Sequence, residues 1–112
     1  MIETKKEIIT KAINKIVNPL GCSFRWRTTR DQLGWNGVFF STTMKIILKS
    51  TARPQTLAHE LAHLTQFNLH GRTKCEYSKY YPNSIADEHY ALQKQWIAKL
   101  KQIGLYQLME AH

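Results

Sequence analysis

Apolar residues near the start of the chain recur every three or four positions, which is the period of one face of an α-helix. Isoleucine, alanine and valine follow this spacing across residues 4–17, with charged residues between them. Thr4 and Glu7 have the spacing of a capping box, in which the two side chains satisfy free N–H groups at a helix start. The Asn-Pro-Leu-Gly run at residues 18–21 is a stop signal. We therefore predict an amphipathic helix over residues 4–17.

Between residues 22 and 49 the pattern changes to the strand-like alternation and short apolar runs that are typical of a sheet. Residues 22–29 alternate apolar with polar side chains, and residues 38–41 and 44–49 read as two further strands. Asn36-Gly37 has the composition of a tight hairpin turn. We predict three strands in a small antiparallel sheet. The edge of strand 44–49 is a place where an extended peptide could pair.

Two longer helices are predicted in the second half of the chain. Pro54 suits the first turn of a helix, and Gly71 suits its C-terminal end. A third helix begins near residue 83 and ends at Gly104. Its inward face is marked by an apolar stripe of Ile85, Leu92, Trp96 and Leu100. These elements place the chain in the α+β class, as a single domain over residues 1–112.

The second helix carries the sequence His59-Glu60-Leu61-Ala62-His63, which has the form H-E-x-x-H. Positions i and i+4 lie on one helix face, so both imidazoles can reach the same metal ion. Glu60 is rotated by about one hundred degrees from His59, so its carboxylate can act on a water molecule without being a ligand. Zinc hydrolases need this arrangement. The alternative interpretation is an ordinary polar stripe on a surface helix.

A catalytic zinc site usually has three protein ligands, so one ligand must come from outside the motif. Glu88 is the first candidate, because it falls on the apolar face of the third helix and a buried carboxylate needs a partner. His70 is the second, since Gly71 could turn the chain back toward the metal. Asp87 is the third candidate. It ranks last because its place in a capping box already gives it a structural role. His89 flanks Glu88 and is interpreted as a surface or core-edge histidine, with a supporting contact to a metal ligand as the alternative.

The Thr-Leu-Ala-His-Glu-Leu-Ala-His-Leu run at residues 56–64, with the strand pair before it, resembles the zincin metallopeptidases. It looks most like the small ImmA/IrrE-type peptidases, and residues 86–91 are similar to the segment in which a later helix of that family donates a glutamate. The family's glutamate precedes the alanine-aspartate pair, where this chain has Ile85. The resemblance covers about residues 37–100. It implies a small zincin-like domain with an active-site helix and a C-terminal helix.

The motif and the resemblance together predict zinc-dependent hydrolysis of peptide bonds in a protein or peptide substrate. His59, His63 and Glu88 would hold Zn²⁺, while Glu60 would take the proton of the attacking water and deliver it to the leaving amine. An oxyanion stabiliser is also needed. The candidates for it are Tyr77, Tyr80, Tyr81 and Tyr90.

A second resemblance is to the SprT-like metalloproteases, in which a histidine-glycine pair downstream of the motif supplies the third ligand. His70-Gly71 is similar to that pair. Those proteins act near DNA, which agrees with the net charge of +8 of this chain. A DNA-associated protease or a basic nucleic-acid-binding module is therefore the alternative function. A zincin fold without catalysis is a further class, against which the intact Glu60 argues.

Composition also predicts where the protein works. No stretch approaches the roughly 18 consecutive apolar residues of a membrane span. The charged first residues lack the apolar segment of a signal peptide. Cys22 and Cys75 are fewer cysteines than a small secreted scaffold normally carries. We expect a cytoplasmic protein with reduced thiols and no membrane contact.

Overall fold

The computed structural model describes residues 3–29, 31, 34–71 and 83–111, with side chains from residue 87 onward in the last range. This part of the chain forms four α-helices and three short strands, so the predicted α+β class is confirmed. In chain order the elements are α1 (Lys5–Val17), a 3-10 turn (Asn18–Leu20), β1 (Ser23–Trp26), β2 (Gly37–Phe40), β3 (Lys45–Leu48), α2 (Pro54–His70), α3 (Asn83–Gln102) and α4 (Leu105–Glu110).

The sheet is mixed, so the prediction of an antiparallel sheet is wrong. The strand order is β1-β3-β2, with β1 parallel and β2 antiparallel to β3. The hairpin turn lies at residues 41–44, where Met44 has a positive φ of 51°. Asn36-Gly37 is instead part of the ladder, because Asn36 accepts a hydrogen bond from the Lys49 N–H. Because β1 and β2 both pair with β3, the last strand in the chain lies in the centre of the sheet.

The predicted helix boundaries agree with the structure because they rest on local signals. The Glu7 N–H donates to the Thr4 side chain over 3.1 Å, which is one half of the expected capping box. α2 begins at Pro54 and ends at Gly71, whose φ of 67° lies in the left-handed region that favours glycine. α3 begins at Asn83. The chain after Gly104 forms the short helix α4.

The core lies where α1 and α2 pack against the sheet, with α3 and α4 completing it. β3 supplies Ile46, Ile47 and Leu48, all at most 2% exposed, as expected for a central strand covered on both faces. β2 approaches α2 closely at Gly37. A Cβ atom there would lie 2.7 Å from a Leu48 methyl and 2.8 Å from a Thr56 methyl. Glycine therefore allows the edge strand to lie directly beside the helix that carries the H-E-x-x-H motif.

Candidate metal centre

α2 presents His59 and His63 on one face, as the spacing of the motif predicts. Their Nε2 atoms lie 3.1 Å apart, and the ring centroids are 4.5 Å apart at an interplanar angle of 84°. Two nitrogens that bind one tetrahedral zinc ion at about 2.0–2.1 Å lie roughly 3.3 Å from each other. The two rings therefore converge with a separation close to the one that a shared metal ion needs.

The structure brings a third histidine, His89 of α3, to this pair. Its ring centroid lies 4.7 Å from that of His59 and 4.3 Å from that of His63. One nitrogen of each of the three rings can be chosen so that all three atoms lie within 4.8 Å of one another. The His89 Nε2 atom is buried, and no described residue forms a hydrogen bond with it. A buried polar atom without a partner is costly, and a metal ion at this place would satisfy it.

Hydrogen bonds and packing hold these rings in place. The His59 Nδ1 atom lies 3.4 Å from the Gln93 Oε1 atom, and His89 forms a hydrogen bond to the backbone of His59. The Trp96 indole donates to the Thr65 hydroxyl over 2.9 Å and thereby ties α3 to α2. Metal-binding histidines commonly use their second ring nitrogen in this way, which fixes the tautomer and the ring orientation.

Burial keeps the ring nitrogens available as electron-pair donors. It lowers the pKa of His63 to about 3, with smaller contributions from the neighbouring His89 and His59. Burial likewise lowers the pKa of His89, and the charge of His59 adds to the effect. Both imidazoles are therefore neutral near pH 7, and a neutral imidazole is the form that binds a metal ion.

A cleft lies between β2 and α2 beside the histidines, and Gly37, His59 and Glu60 line it. Glu60 is buried, at 5% exposure, in its wall. Its side chain packs beneath the edge strand, where the Glu60 Cγ would lie 3.4 Å from a Cβ atom at Gly37. It lines two adjoining cavities of about 370 and 330 Å³, each of which also contains His59. Glu60 therefore lines the same cavities as His59 and is not a member of the histidine group, and its role as a base stays a prediction.

Glu88 is directed elsewhere. Its Oε1 atom accepts a hydrogen bond from the Gln66 amide over 2.9 Å and lies 2.8 Å from the His70 Nε2 atom. These two contacts lower the pKa of the Glu88 carboxyl. Two of the three candidates for the third ligand therefore contact each other, and the remaining one, Asp87, is exposed. A ligand role for Glu88 stays a prediction, whereas the structure groups His89 with the histidine pair.

The helical spacing of the sequence contains a signal that favours His89 over Glu88. At 100° per residue, the centre of the stripe formed by Leu92, Trp96 and Leu100 lies roughly 20° from His89 and roughly 80° from Glu88. The stripe therefore points His89 inward more directly than Glu88. Glu88 ranks first from the sequence because a carboxylate commonly completes a two-histidine zinc site, although the helical geometry favours His89.

The edge of the cleft is formed by β2. The prediction that strand 44–49 offers a free edge is wrong, because β3 pairs on both sides. Bonded pairs alternate along an antiparallel ladder, and the Lys49–Asn36 hydrogen bond sets their phase. It follows that the N–H and C=O groups of Gly37 and Phe39 point away from β3. No strand of the described part of the chain pairs with this outer edge, which lines the cleft beside Glu60.

The basic strand β1 looks less like a nucleic-acid platform than its composition suggests. Trp26 packs edge-on against Phe24, with ring centroids 5.1 Å apart, and its indole donates to the Thr10 hydroxyl. Arg25 forms a bidentate ion pair with Asp31, which holds the pKa of the Asp31 carboxyl far below its usual range. Trp26 is partly buried against the core, which leaves its ring unavailable as an open stacking surface.

The remaining residues singled out from the sequence add little to the site. Tyr90 is 61% exposed and has the Lys94 ammonium over its ring. Cys22 is a free, buried thiol, and burial raises its pKa to about 11. The other residues concerned lie outside the described part of the chain: Cys75, Tyr77, Tyr80 and Tyr81.

Comparisons of the chain with protein-family models, with curated proteins and with solved structures find no match in any of the three. The resemblance to zincins therefore rests on the residues of the motif and on the group of side chains around them. Among the described residues, no helix has the length and apolar character needed to cross a membrane.

Proposed function

We propose that this protein is a zinc-dependent metallopeptidase in which His59, His63 and His89 hold the metal ion and Glu60 is the catalytic base. The observation that carries the proposal is the arrival of His89 from a second helix at the H-E-x-x-H pair. Its buried, partnerless Nε2 atom supports a ligand role more strongly than a packing role. An ordinary polar stripe on a surface helix would give no reason for a third imidazole, from another helix, to contact the pair.

Each residue of the site has a defined task in this proposal. His63 and His89 are neutral because burial lowers the pKa of each ring, and Gln93 faces His59 while His89 bonds to the His59 backbone. Zinc, when bound, supplies a Lewis acid that polarises the scissile carbonyl and makes a water molecule more acidic. Glu60 accepts the proton of that water and delivers it to the departing amine. Its burial beneath β2 keeps the carboxylate in one position between the two steps.

The outer edge of β2 supports an extended peptide as the substrate. The backbone groups of Gly37 and Phe39 are directed toward the cleft and can pair with a peptide that adds to the sheet as a further strand. Such pairing would place the peptide backbone alongside Glu60 and His59, which line the same cavities. Because main-chain hydrogen bonds provide the binding, this mode tolerates many side chains.

The test is cleavage of a mixed peptide library by zinc-loaded protein, with products identified by mass spectrometry. We expect cleavage by the wild-type chain and a loss of about 10²–10⁴-fold in the Glu60→Gln variant, because the amide cannot take the water proton. Zinc content should be the same in both proteins, since Glu60 is not a ligand. Equal cleavage by both proteins, or no cleavage by the zinc-loaded wild type, would contradict the proposal.

The DNA-associated alternative has the net charge of +8 as its support. This alternative also rested on the similarity of His70 to the third ligand of SprT-like proteases. In the structure, the His70 ring contacts Glu88. We therefore retain it only as an alternative, which salt-dependent binding of the protein to DNA would favour.

A further inference from the structure

A further cavity, of about 570 Å³, lies between α1 and α3, away from the histidines. We call it the α1/α3 groove. None of the residues that line the two cavities at Glu60 lines this one. Its inner surface is mainly apolar, and one of its apolar side chains, that of Ile103, is 52% exposed. The lining residues that matter here are Ile16, Leu20, Trp96 and Ile103, with Lys15 and Lys99 among them.

Both walls of the groove are fastened to α2, so the groove is preformed. On one wall, the Asn68 amide donates to the Leu20 carbonyl over 3.1 Å. On the other, the Trp96 indole donates to the Thr65 hydroxyl over 2.9 Å. Closing the groove would require breaking these contacts, of which the Trp96–Thr65 hydrogen bond is partly buried. A ligand can therefore enter without first opening the fold, which lowers the cost of binding.

The charges at the groove have one sign. Lys15 and Lys99 line it, and no acidic residue in the described part of the chain does. Among the described residues, neither lysine takes part in a salt bridge. The Lys99 ammonium lies 5.1 Å from the centre of the Trp96 ring, which keeps it close to the apolar surface. Two ammonium groups without counter-ions, next to apolar surface, complement a ligand with an apolar body and an anionic head.

The dimensions favour a small molecule over a protein segment. The two walls, residues 12–20 and 96–103, each extend for about two helical turns, or roughly 11 Å. A partner helix that covered only this length would bury less than the roughly 1,200 Å² of a specific protein interface. The volume of about 570 Å³ lies within the roughly 300–1,000 Å³ of small-molecule sites, which are likewise mostly apolar with few polar groups.

We propose that the α1/α3 groove binds a small amphiphilic carboxylate, with its apolar tail along Trp96 and Ile103 and its head between Lys15 and Lys99. This site does not depend on the metal centre or on catalysis. It adds a ligand-binding function to a face of the protein that the proposed peptidase reaction leaves unused.

Isothermal titration calorimetry with dodecanoate, below its micelle concentration, tests the proposal. We expect saturable binding of one molecule per chain, and markedly weaker binding of dodecyltrimethylammonium, which has the same tail and the opposite charge. The double variant Lys15→Gln/Lys99→Gln should bind dodecanoate more weakly, by up to about fivefold for each lysine removed. Ile103→Ser should also weaken binding, because it removes apolar contact with the tail.

Lys94→Gln is the matched control, because Lys94 lies on the same helix over the Tyr90 ring and outside the groove. It should bind dodecanoate as the wild type does, and circular dichroism should show all variants folded. Absence of saturable binding would overturn the proposal. So would equal binding of the cationic amphiphile, an equal loss in Lys94→Gln, or binding of an acidic amphipathic helical peptide in place of dodecanoate.

Discussion

Glu88 and His89 are neighbours on α3, yet their side chains enter two very different surroundings. Glu88 reaches toward the end of α2, where its carboxylate contacts Gln66 and His70 and remains 36% exposed. His89 is half-buried against two other imidazoles, and its buried Nε2 atom has no hydrogen-bond partner among the described residues. The first group is satisfied by the protein itself, whereas the second lacks one partner.

This difference shows what distinguishes a metal centre from an ordinary polar cluster. Both groups contain residue types that bind zinc, so composition alone does not separate them. The cluster at Glu88 already has a hydrogen bond for its acceptor and stays open to water. The histidine group has converging nitrogens, two rings whose pKa values are lowered by burial and, among the described residues, a buried atom without a partner, and a cation supplies what it lacks.

A substitution at Gln93 should produce the larger of two effects that sharpen the comparison. In Gln93→Leu the His59 ring loses the amide that faces its Nδ1 atom, and zinc affinity should fall by about tenfold, since such supporting contacts are worth 10–100-fold and this one is long at 3.4 Å. Competition with a chromophoric chelator measures the change. Gln95→Leu on the same helix is the control, and an unchanged affinity in Gln93→Leu would show that the contact does not orient the ring.

A substitution at Glu88 should produce the smaller effect. Glu88→Gln removes the negative charge but keeps an oxygen that can accept from Gln66, and both Glu88 and His70 are more than a third exposed. The free energy of unfolding should therefore fall by less than about 1 kcal/mol, as for other solvent-screened pairs. Urea unfolding followed by circular dichroism gives this value. A loss of several kcal/mol would mean that the cluster at Glu88 is a buried structural element.

The features that could be predicted from the sequence are those with a local cause. Thr4 and Glu7 mark the start of α1, and Pro54 and Gly71 mark the ends of α2, because each acts through neighbouring backbone groups. The His59–His63 pair follows from helical geometry in the same way. Strand order has no such local cause. The alternation in residues 22–29 indicates a strand but not its neighbour, so the parallel pairing of β1 with β3 was missed.

The third member of the histidine group also depends on contacts between distant parts of the chain. α3 must pack against α2 in one particular register before His89 meets His59 and His63. The Trp96–Thr65 hydrogen bond helps to set that register, and no spacing within the sequence reveals it. The helical stripe could have indicated that His89 points inward, but it could not have indicated what His89 meets there.

Zinc titration of three variants tests the central claim most directly. Wild type, His89→Ala and Glu88→Ala are each titrated with zinc against a chromophoric chelator, and cobalt(II) absorption spectra report the ligand geometry. We predict that Glu88→Ala binds zinc as the wild type does, and that His89→Ala binds it more than about a hundredfold more weakly, since removing a ligand should cost more than removing a supporting contact. Strong zinc binding by His89→Ala together with its loss in Glu88→Ala would contradict the account and would make Glu88 the third ligand.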